Sequence, residues 1–366
     1  MIRPVWAEID LRAIAANLAA IKARLAPATK IMAIVKANAY GHGLVPVAKK
    51  AGESGADRLG VALVEEALEL REAGLDMPIQ ILSEPPVGAA DEIAAYRLIP
   101  AVYSFELAQT LSRKAQAIQE PITVHLKVDT GMHRVGASLD RSLELYQSIR
   151  RLPGLEVEGI FTHFACADSP EDPFTAKQLH AFLQLKKALP EVQVWHAANS
   201  AAAIFMPETH LDMVRIGIAM YGLQPSAQPS PIPLKPALSL RAKISFVQEL
   251  KAGEGVSYGL TYKARRQVTV ATLPIGYGDG YSRLLSNKGE VLIGGRRVKI
   301  IGNICMDQML VELDRVKAAA GDEVVLIGAQ GRETISAEEI AAWLGTINYE
   351  VVCLINNRVA RVYQKE

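Results

Sequence analysis

Several apolar runs of this 366-residue chain end in residues that could do chemistry, and Lys36 is the first of them. The stretch "AIVKANAYGHG" is apolar up to Lys36 and continues with small residues, Tyr40 and two glycines. A lysine that is removed from water beside other cations has a lowered pKa, and its amine then attacks carbonyl carbon atoms. A lone lysine at a strand end more commonly extends to water, so this prediction depends on the neighbouring groups.

Later apolar runs also end in polar groups, which are Lys127, Arg134, His163, His196, Asn199, Ser200 and Arg215. Each of them alone has an ordinary structural explanation, such as an ion pair or a hydrogen-bonded core histidine. Five strands that all bring such groups to one rim are more than packing requires. We therefore predict a site at the carboxyl ends of these strands.

The elements that position this rim are short apolar runs that alternate with amphipathic stretches. We predict eight strands, at residues 30–37, 58–63, 78–83, 98–104, 123–129, 157–164, 192–199 and 213–220. Strands that are apolar almost throughout and are separated by helices indicate a parallel sheet covered on both sides. The prediction is an α/β fold with an N-terminal (β/α)₈ barrel, and an open doubly wound sheet is the alternative.

The composition changes near residue 230, where "LQPSAQPSPIPLKP" is rich in proline and serine. The runs beyond it are strand-like, with one clear helix at "SAEEIAAWLG", for which Ser336 is the predicted N-cap and Glu339 stands at the capping-box position. We predict a barrel domain over residues 1–230 and a mainly β domain over 231–366. The first strand, at about residues 3–9, is extra to the eight and is expected to pair with the β domain.

Composition and charge exclude several classes of protein. The formal net charge is +1, and no block of like charge favours a nucleic-acid or membrane-surface partner. The three cysteines form neither a disulfide framework nor a zinc spacing, and we predict no metal site. The N-terminus lacks a signal-peptide pattern and no apolar run is long enough to span a membrane, so we expect a cytoplasmic protein.

The chemistry of the rim suggests a cofactor. Pyridoxal phosphate is an aldehyde that a lysine such as Lys36 can bind covalently. In barrels, a phosphate group commonly binds in the loops after strands seven and eight, where this chain offers Ser200, Gly217 and Ile218. Glycine at position 217 allows the backbone to approach a ligand closely.

A series of motifs then resembles one family along the whole chain. "AIVKANAYGHG" closely resembles the cofactor-lysine motif of alanine racemases, and the match continues in order through "LKVDTGMHRVG", "FTHFACAD", "HAANSAA", "VRIGIAMYG", "GVSYG", "PIGYGDGYSR", "NICMDQ" and "TINYEVVC". The resemblance implies a fold-type III pyridoxal-phosphate enzyme that forms a homodimer. In that family the partner's β domain completes each active site.

Residue roles follow from this resemblance alone. Lys36 and Tyr258 would be the two catalytic bases, with Tyr258 supplied by the partner. The cofactor would contact Lys36, Tyr40, His163, Asn199, Ser200, Arg215, Gly217, Ile218 and Tyr349, and the substrate Arg134, Met306, Asp307 and Tyr277. In many members the lysine that matches Lys127 carries a carbamate, which we take over as a hypothesis.

The resulting prediction is a racemase that interconverts L- and D-alanine for peptidoglycan. Arginine at position 215 cannot act as the acid that keeps a pyridine nitrogen protonated, which favours proton shuffling over decarboxylation. Asn303 stands where many members have arginine, so the sequence leaves a broader alanine/serine racemase open. It also leaves open a fold-type III decarboxylase, a pyridoxal-phosphate carrier and a cofactor-free barrel enzyme acting on phosphorylated metabolites.

Overall fold

The computed structural model describes residues 3–314 and 316–364 and divides the chain into two compact units. The barrel unit contains Ile14–Ala39 and Gly43–Lys235. The β unit contains the residues up to Ala13, the short segment Tyr40–His42 and the residues from Pro236 onward. The segment Tyr40–His42 belongs to the β unit although it follows the first barrel strand in sequence.

The first part of the chain alternates strands with helices. Its strands are β1 (Val5–Asp10), β2 (Lys30–Ile34), β3 (Arg58–Val61), β4 (Ile79–Ile81), β5 (Ile99–Val102), β6 (Ile122–Asp129), β7 (Ala137–Ser138), β8 (Leu155–Phe161), β9 (Val194–His196) and β10 (Met213–Ile216). Its helices are α1 (Leu11–Lys22), α2 (Lys36–Tyr40), α3 (Leu44–Glu53), α4 (Val64–Glu72), α5 (Ala90–Ala95), α6 (Phe105–Ile118), α7 (Leu139–Arg150), α8 (Phe174–Ala188) and α9 (Ser200–Phe205).

The barrel unit contains eight parallel strands in a nearly closed barrel, in the order β10-β2-β3-β4-β5-β6-β8-β9. Backbone hydrogen bonds from Arg215 N to Ala198 O (3.0 Å) and from Asp212 N to Trp195 O (3.1 Å) link the segments at the two ends of this order. Strands such as β3 and β5 are buried along their whole length, as expected for a parallel sheet covered by helices. The predicted barrel is confirmed.

The β unit is built mainly from antiparallel strands. They are β11 (Leu238–Lys243), β12 (Phe246–Leu250), β13 (Gly255–Val256), β14 (Tyr262–Lys263), β15 (Val268–Leu273), β16 (Glu290–Ile293), β17 (Arg296–Ile301), β18 (Met309–Glu312), β19 (Glu323–Gln330), β20 (Glu333–Ile335) and β21 (Ala360–Gln364), with helices α10 (Ala337–Leu344) and α11 (Asn348–Cys353). Strand β1 pairs antiparallel with β11 and parallel with β21. The first strand is thus a member of the β unit's sheet.

One local prediction was wrong in part. Ser336 caps helix α10 by accepting a hydrogen bond from Glu339 N (3.1 Å), as expected. Glu339, however, does not complete a capping box, because its carboxylate pairs with Arg297 (2.6 Å). Within the described ranges, no helix combines the length and the apolar composition needed to cross a membrane.

Candidate active site

Lys36 begins a left-handed turn at the carboxyl end of strand β2. Residues 37–40 all have φ between 52 and 53°, and Gly41 follows with φ of 80°. Left-handed backbone costs about 1–2 kcal/mol for each residue other than glycine, so surrounding contacts must hold this turn. One of them comes from Glu66, whose Oε1 accepts a hydrogen bond from Ala37 N (2.6 Å), and another from Asn38 Oδ1, which accepts from Leu44 N (2.8 Å).

Positive side chains gather around His163 at this end of the barrel. Burial lowers the pKa of His163 well below its usual 6.5, and the charges of Arg215, Arg134, Lys127 and Lys36 add to the effect. The same set acts on Lys127: burial, with the charges of Arg215, Arg134 and Lys36, lowers the pKa of its amine to about 8. The structure therefore brings together the basic residues that the sequence placed on one rim.

Lys127 is held inside the barrel by two contacts. Its Nζ donates to Leu82 O (2.9 Å) and lies 5.3 Å from the centre of the Phe161 ring. A small cavity beside it is lined by Asp129, Arg134 and His163. The amine therefore lies in a confined space that destabilises its charged form.

Arg215 is buried and makes hydrogen bonds through both terminal nitrogens. Its Nη1 donates to His196 Nδ1 and to His196 O (each 3.1 Å). Its Nη2 lies within 3.0 Å of Thr162 O, His163 Nδ1 and Ala197 O. Burial lowers the pKa of its guanidinium to about 9, which leaves it cationic at neutral pH. Within the described part of the chain, the Nε–H of Arg215 has no acceptor, so one donor remains for a ligand.

The loops after β9 and β10 are joined by Ser200. Its hydroxyl oxygen accepts hydrogen bonds from Gly217 N (2.9 Å) and Ala219 N (3.4 Å). Ile218 begins a short 3₁₀ turn (Ile218–Tyr221) directly after Gly217. Asn199 caps helix α9, because its side-chain oxygen accepts a hydrogen bond from Ala202 N (3.0 Å). These contacts form a narrow cradle of hydroxyl and backbone groups at the position predicted to hold a phosphate.

Tyr40 and Tyr349 lie together in the β unit. Their ring centres are 6.1 Å apart, with the planes inclined at 50°. Between Tyr40 and His42, a Cβ atom at Gly41 would lie 2.2 Å from Val352 O, so only glycine allows this close approach. Gly41 therefore packs against helix α11, which also carries Tyr349.

Tyr258 is strongly exposed, with 72% of its surface accessible. It follows Ser257, a residue other than glycine with φ of 61°. Ser257 Oγ donates to Asn303 O, and Asn303 Nδ2 donates to Tyr258 O (2.7 Å). Asn303 and Ser257 therefore hold the backbone on either side of Tyr258, a role that the sequence did not indicate.

Three of the predicted substrate residues, Tyr277, Met306 and Asp307, lie on or against the segment that follows Asn303. Tyr277 N donates to Cys305 O (3.1 Å), which places the Tyr277 turn against Met306. Asp307 pairs with Arg358 (2.5 Å). The structure therefore brings Tyr258, Tyr277, Met306 and Asp307 onto one connected part of the β unit.

Two family models match the chain. One, described as the N-terminal domain of alanine racemase, matches residues 9–225, and one described as its C-terminal domain matches residues 237–363. The chain belongs to the alanine racemase family. It is therefore an amino-acid isomerase, and the resemblance noted in its motifs is confirmed.

Individual alanine racemases are similar to this chain over its full length. The alanine racemase of Symbiobacterium thermophilum is 47% identical, with 100% of this chain and 98% of that protein covered. The crystal structure of the Bacillus anthracis alanine racemase with bound L-Ala-P has a TM-score of 0.94 at 40% identity, covering 99% and 95%. That of the Bartonella henselae alanine racemase with covalently bound pyridoxal phosphate has a TM-score of 0.89 at 31% identity, covering 99% of each chain.

Sequence reasoning missed several polar residues beneath the family motifs. Glu66 is half-buried, and its carboxylate accepts hydrogen bonds from the backbone N–H groups of Ala37, Ala62 and Leu63. Arg58, His125 and Glu158 form a buried polar cluster inside the barrel. A signal for them was present, because a charged or imidazole group in the middle of an apolar strand is costly unless it is paired.

The buried histidines predict how stability depends on pH. His163 and His196 have pKa values well below 6.5, chiefly because they are buried. Below about pH 6.5 the unfolded chain therefore binds protons that the folded chain does not. The free energy of unfolding consequently decreases as the pH is lowered. We expect a loss approaching roughly 3 kcal/mol per pH unit from the two residues. Urea unfolding between about pH 7.5 and about pH 5 measures it, and a flat profile would contradict the buried neutral state.

Proposed function

We propose that this chain is a two-base alanine racemase in which Lys36 of one subunit and Tyr258 of its partner act on opposite faces of alanine. The observation that carries the proposal is Arg215. Its two terminal nitrogens donate hydrogen bonds to acceptors within the barrel. In this proposal its Nε–H donates to the ring nitrogen of pyridoxal phosphate. The guanidinium of Arg215 keeps its proton at neutral pH, so it donates a hydrogen bond to that nitrogen without protonating it, which favours return of the proton to Cα over other outcomes.

The residues present fit this cofactor. Lys36 supplies the amine, the Ser200 cradle with Gly217 and Ile218 suits a phosphate, and Arg215 suits the ring nitrogen. Tyr40 and Tyr349 add hydroxyl groups for the phosphate. When bound, pyridoxal phosphate supplies an electron sink that stabilises the charge left by the departing Cα proton.

The protein's own groups perform the proton transfers. The Nζ atom of Lys36 takes or returns the proton on one face, and the phenolic oxygen of Tyr258 does so on the other. Two bases on opposite faces avoid the movement that one base would need to cross the substrate. Arg134, beside Lys127 and His163, binds the substrate carboxylate in this proposal.

Exposure of Tyr258 supports the homodimer. Tyr258, Leu260, Tyr277 and Met306 each expose more than two-fifths of their surface in the single chain. An exposed set of large apolar side chains on segments that are hydrogen-bonded to one another is typical of a surface that another subunit covers. We propose that a second copy of this chain covers it and receives Tyr258 in its active site, together with Met306, Asp307 and Tyr277.

The state of Lys127 gives a separate prediction. Carbon dioxide reacts with a neutral amine, and a pKa of about 8 makes that form accessible near neutral pH. A carbamate there would place a negative charge beside Arg134. We expect protein equilibrated with ¹³C-bicarbonate to show a carbamate carbon signal by NMR. That signal should be absent from Lys127→Ala and present in Lys243→Ala, which replaces an exposed lysine; its absence from the unmodified protein would contradict the prediction.

Alanine turnover itself is tested with the purified homodimer, added pyridoxal phosphate and L-alanine in D₂O. Loss of optical rotation together with deuterium at Cα supports racemisation by proton exchange. Bound cofactor without exchange would contradict it and favour a carrier or a decarboxylase. Supply of D-alanine for peptidoglycan in the cytoplasm is the physiological role that this activity would serve.

The same assay decides between a strict alanine racemase and an alanine/serine racemase. Asn303 is shorter than the arginine of many members, and its amide is engaged by Tyr258 O. We propose that this leaves room for a hydroxymethyl side chain. Turnover of D- and L-serine at rates equal to or above those of alanine would support a broader racemase, and no detectable serine turnover would contradict it.

A further inference from the structure

A chain of hydrogen bonds runs from Arg215 through the barrel to Glu158. Arg215 Nη1 lies 3.1 Å from His196 Nδ1, and His196 Nε2 lies 2.9 Å from His125 Nδ1. His125 Nε2 then lies 2.8 Å from Glu158 Oε2. Arg215, His196 and His125 are fully or almost fully buried, whereas the Glu158 side chain is 24% exposed.

The donor and the acceptor of each hydrogen bond in this series can be assigned from the two end residues, Arg215 and Glu158. An arginine can only donate, so His196 Nδ1 must accept and His196 Nε2 must carry the proton. That N–H then donates to His125 Nδ1, which leaves the proton of His125 on Nε2. His125 donates it to Glu158, a carboxylate that can only accept. All three contacts between these four residues are satisfied in this direction, and the one donor left facing another donor is Arg58 Nη1, beside His125 Nε2.

The competing assignment fails at two contacts. Arg58 Nη1 also lies 2.9 Å from His125 Nε2 and could donate to it. His125 would then carry its proton on Nδ1 and donate to His196, whose remaining proton would face the donor-only Arg215. Glu158 would also face a nitrogen lone pair. Arg58 has other acceptors, since its Nη2 donates to both oxygens of Glu158 (2.9 Å) and its Nη1 to Gln80 (3.3 Å).

The surrounding packing is built for neutral rings in fixed positions. Burial lowers the pKa values of His125 and His196, while hydrogen bonds from His125 and Arg58 outweigh burial and lower that of Glu158 to about 2. The His196 ring stacks on Phe161 with centres 4.8 Å apart and planes 8° from parallel. A Cβ atom at Gly159 would lie 2.5 Å from His125 Cε1, so glycine makes the space for that ring.

We propose that Glu158, held by Arg58, is a positioning residue that fixes the tautomers of His125 and His196 and thereby the acceptor that orients Arg215. This rests on the proposed function, because the orientation of Arg215 matters for the ring nitrogen it faces. Glu158 acts through two other side chains and not on the substrate. With the acceptor fixed at His196 Nδ1, Arg215 keeps its Nη1 in the barrel and its Nε–H toward the site.

The tautomers of His125 and His196 are measured directly by ¹⁵N NMR of the full-length protein with ring-labelled histidine, with and without pyridoxal phosphate. We expect His125 and His196 to give the signals of the neutral Nε2–H tautomer in both states. Nδ1–H signals, or protonation of either ring near neutral pH, would overturn the proposal. Because this readout does not need turnover, it stands or falls separately from the proposed function.

A matched pair of variants tests the role of Glu158. Glu158→Gln keeps the shape but removes the charge, and Arg58 then becomes the stronger partner of His125. We expect the His125 and His196 signals to shift toward the Nδ1–H tautomer and kcat to fall about tenfold, as for other outer-shell hydrogen-bond partners. Glu156→Gln, two residues away on the same strand and exposed, should change neither. Unchanged tautomers in a folded Glu158→Gln protein would overturn the proposal.

Discussion

Lys36→Ala is expected to lower the rate of Cα exchange in alanine by at least about 10⁴-fold, because in the proposed mechanism this one side chain supplies both the cofactor amine and a catalytic base. The left-handed turn that follows Lys36 fixes its backbone, and Glu66 holds the first N–H of that turn (2.6 Å). No other lysine can replace it without a similar arrangement of strand end and turn.

The measurement for this prediction is the rate of deuterium incorporation at Cα with saturating cofactor. Lys30→Ala is the matched control, because Lys30 lies exposed at the other end of the same strand. Its rate should stay within about twofold of the unmodified enzyme, as is usual for surface positions. Added methylamine should restore part of the activity of Lys36→Ala. Exchange above about a tenth of the normal rate in that variant without an added amine would contradict the role of Lys36.

Tyr258→Phe removes the second base and is expected to separate exchange from inversion. Racemisation should fall by about 10²- to 10⁴-fold in both directions, since each direction needs both faces. The remaining base still reaches one face. One enantiomer of alanine should therefore exchange its Cα proton with retention of configuration, while the other keeps its proton.

The test follows each enantiomer separately in D₂O by mass and by chiral separation. Tyr262→Phe is the control, because its hydroxyl lies in the same region but bonds to Glu312 (2.8 Å). That variant should racemise at nearly the normal rate. Equal exchange of both enantiomers by Tyr258→Phe would show that a single base serves both faces, and the assignment of Tyr258 would be wrong.

The barrel was predictable from the sequence because its strands are buried on both faces. Strand β3 and strand β5 are apolar runs bounded by helical patterns, and eight such units favour a closed barrel over an open sheet. The location of the polar rim was predictable for the same reason, since polar groups that follow buried parallel strands gather at one end of the barrel, although predicted strands such as 30–37 and 192–199 extend beyond the observed Lys30–Ile34 and Val194–His196. The basic cluster around His163 follows directly from that rule.

The polar chain beneath the rim could not be predicted in the same way. His125 and Glu158 are 33 residues apart, and Arg58 and Glu158 are 100 apart, on three different strands. Their contacts depend on register, which includes an irregularity between Val124 and His125. Periodicity does not give the register between strands, so each residue had only a local explanation.

The left-handed turn after Lys36 could not be predicted from the sequence, for a different reason. Ala37 and Ala39 disfavour a left-handed backbone, Asn38 tolerates it only as an isolated residue, and only Gly41 and Gly43 indicated an unusual turn. Tertiary contacts such as those of Glu66 impose the conformation. The helical spacing of Glu66 indicates only that it points away from the apolar face of its own helix, and that pattern carries no information about the neighbouring turn.

The central claim is that each active site takes Lys36 from one subunit and Tyr258 from the other, and a heterodimer tests it most directly. Subunits carrying Lys36→Ala and subunits carrying Tyr258→Phe would be given different affinity tags and co-expressed, and the mixed dimer isolated with both tags. One of its two sites then has both normal residues, so about half of the normal activity per dimer is expected although each parent is inactive. An inactive mixed dimer that is folded and binds pyridoxal phosphate would contradict the account.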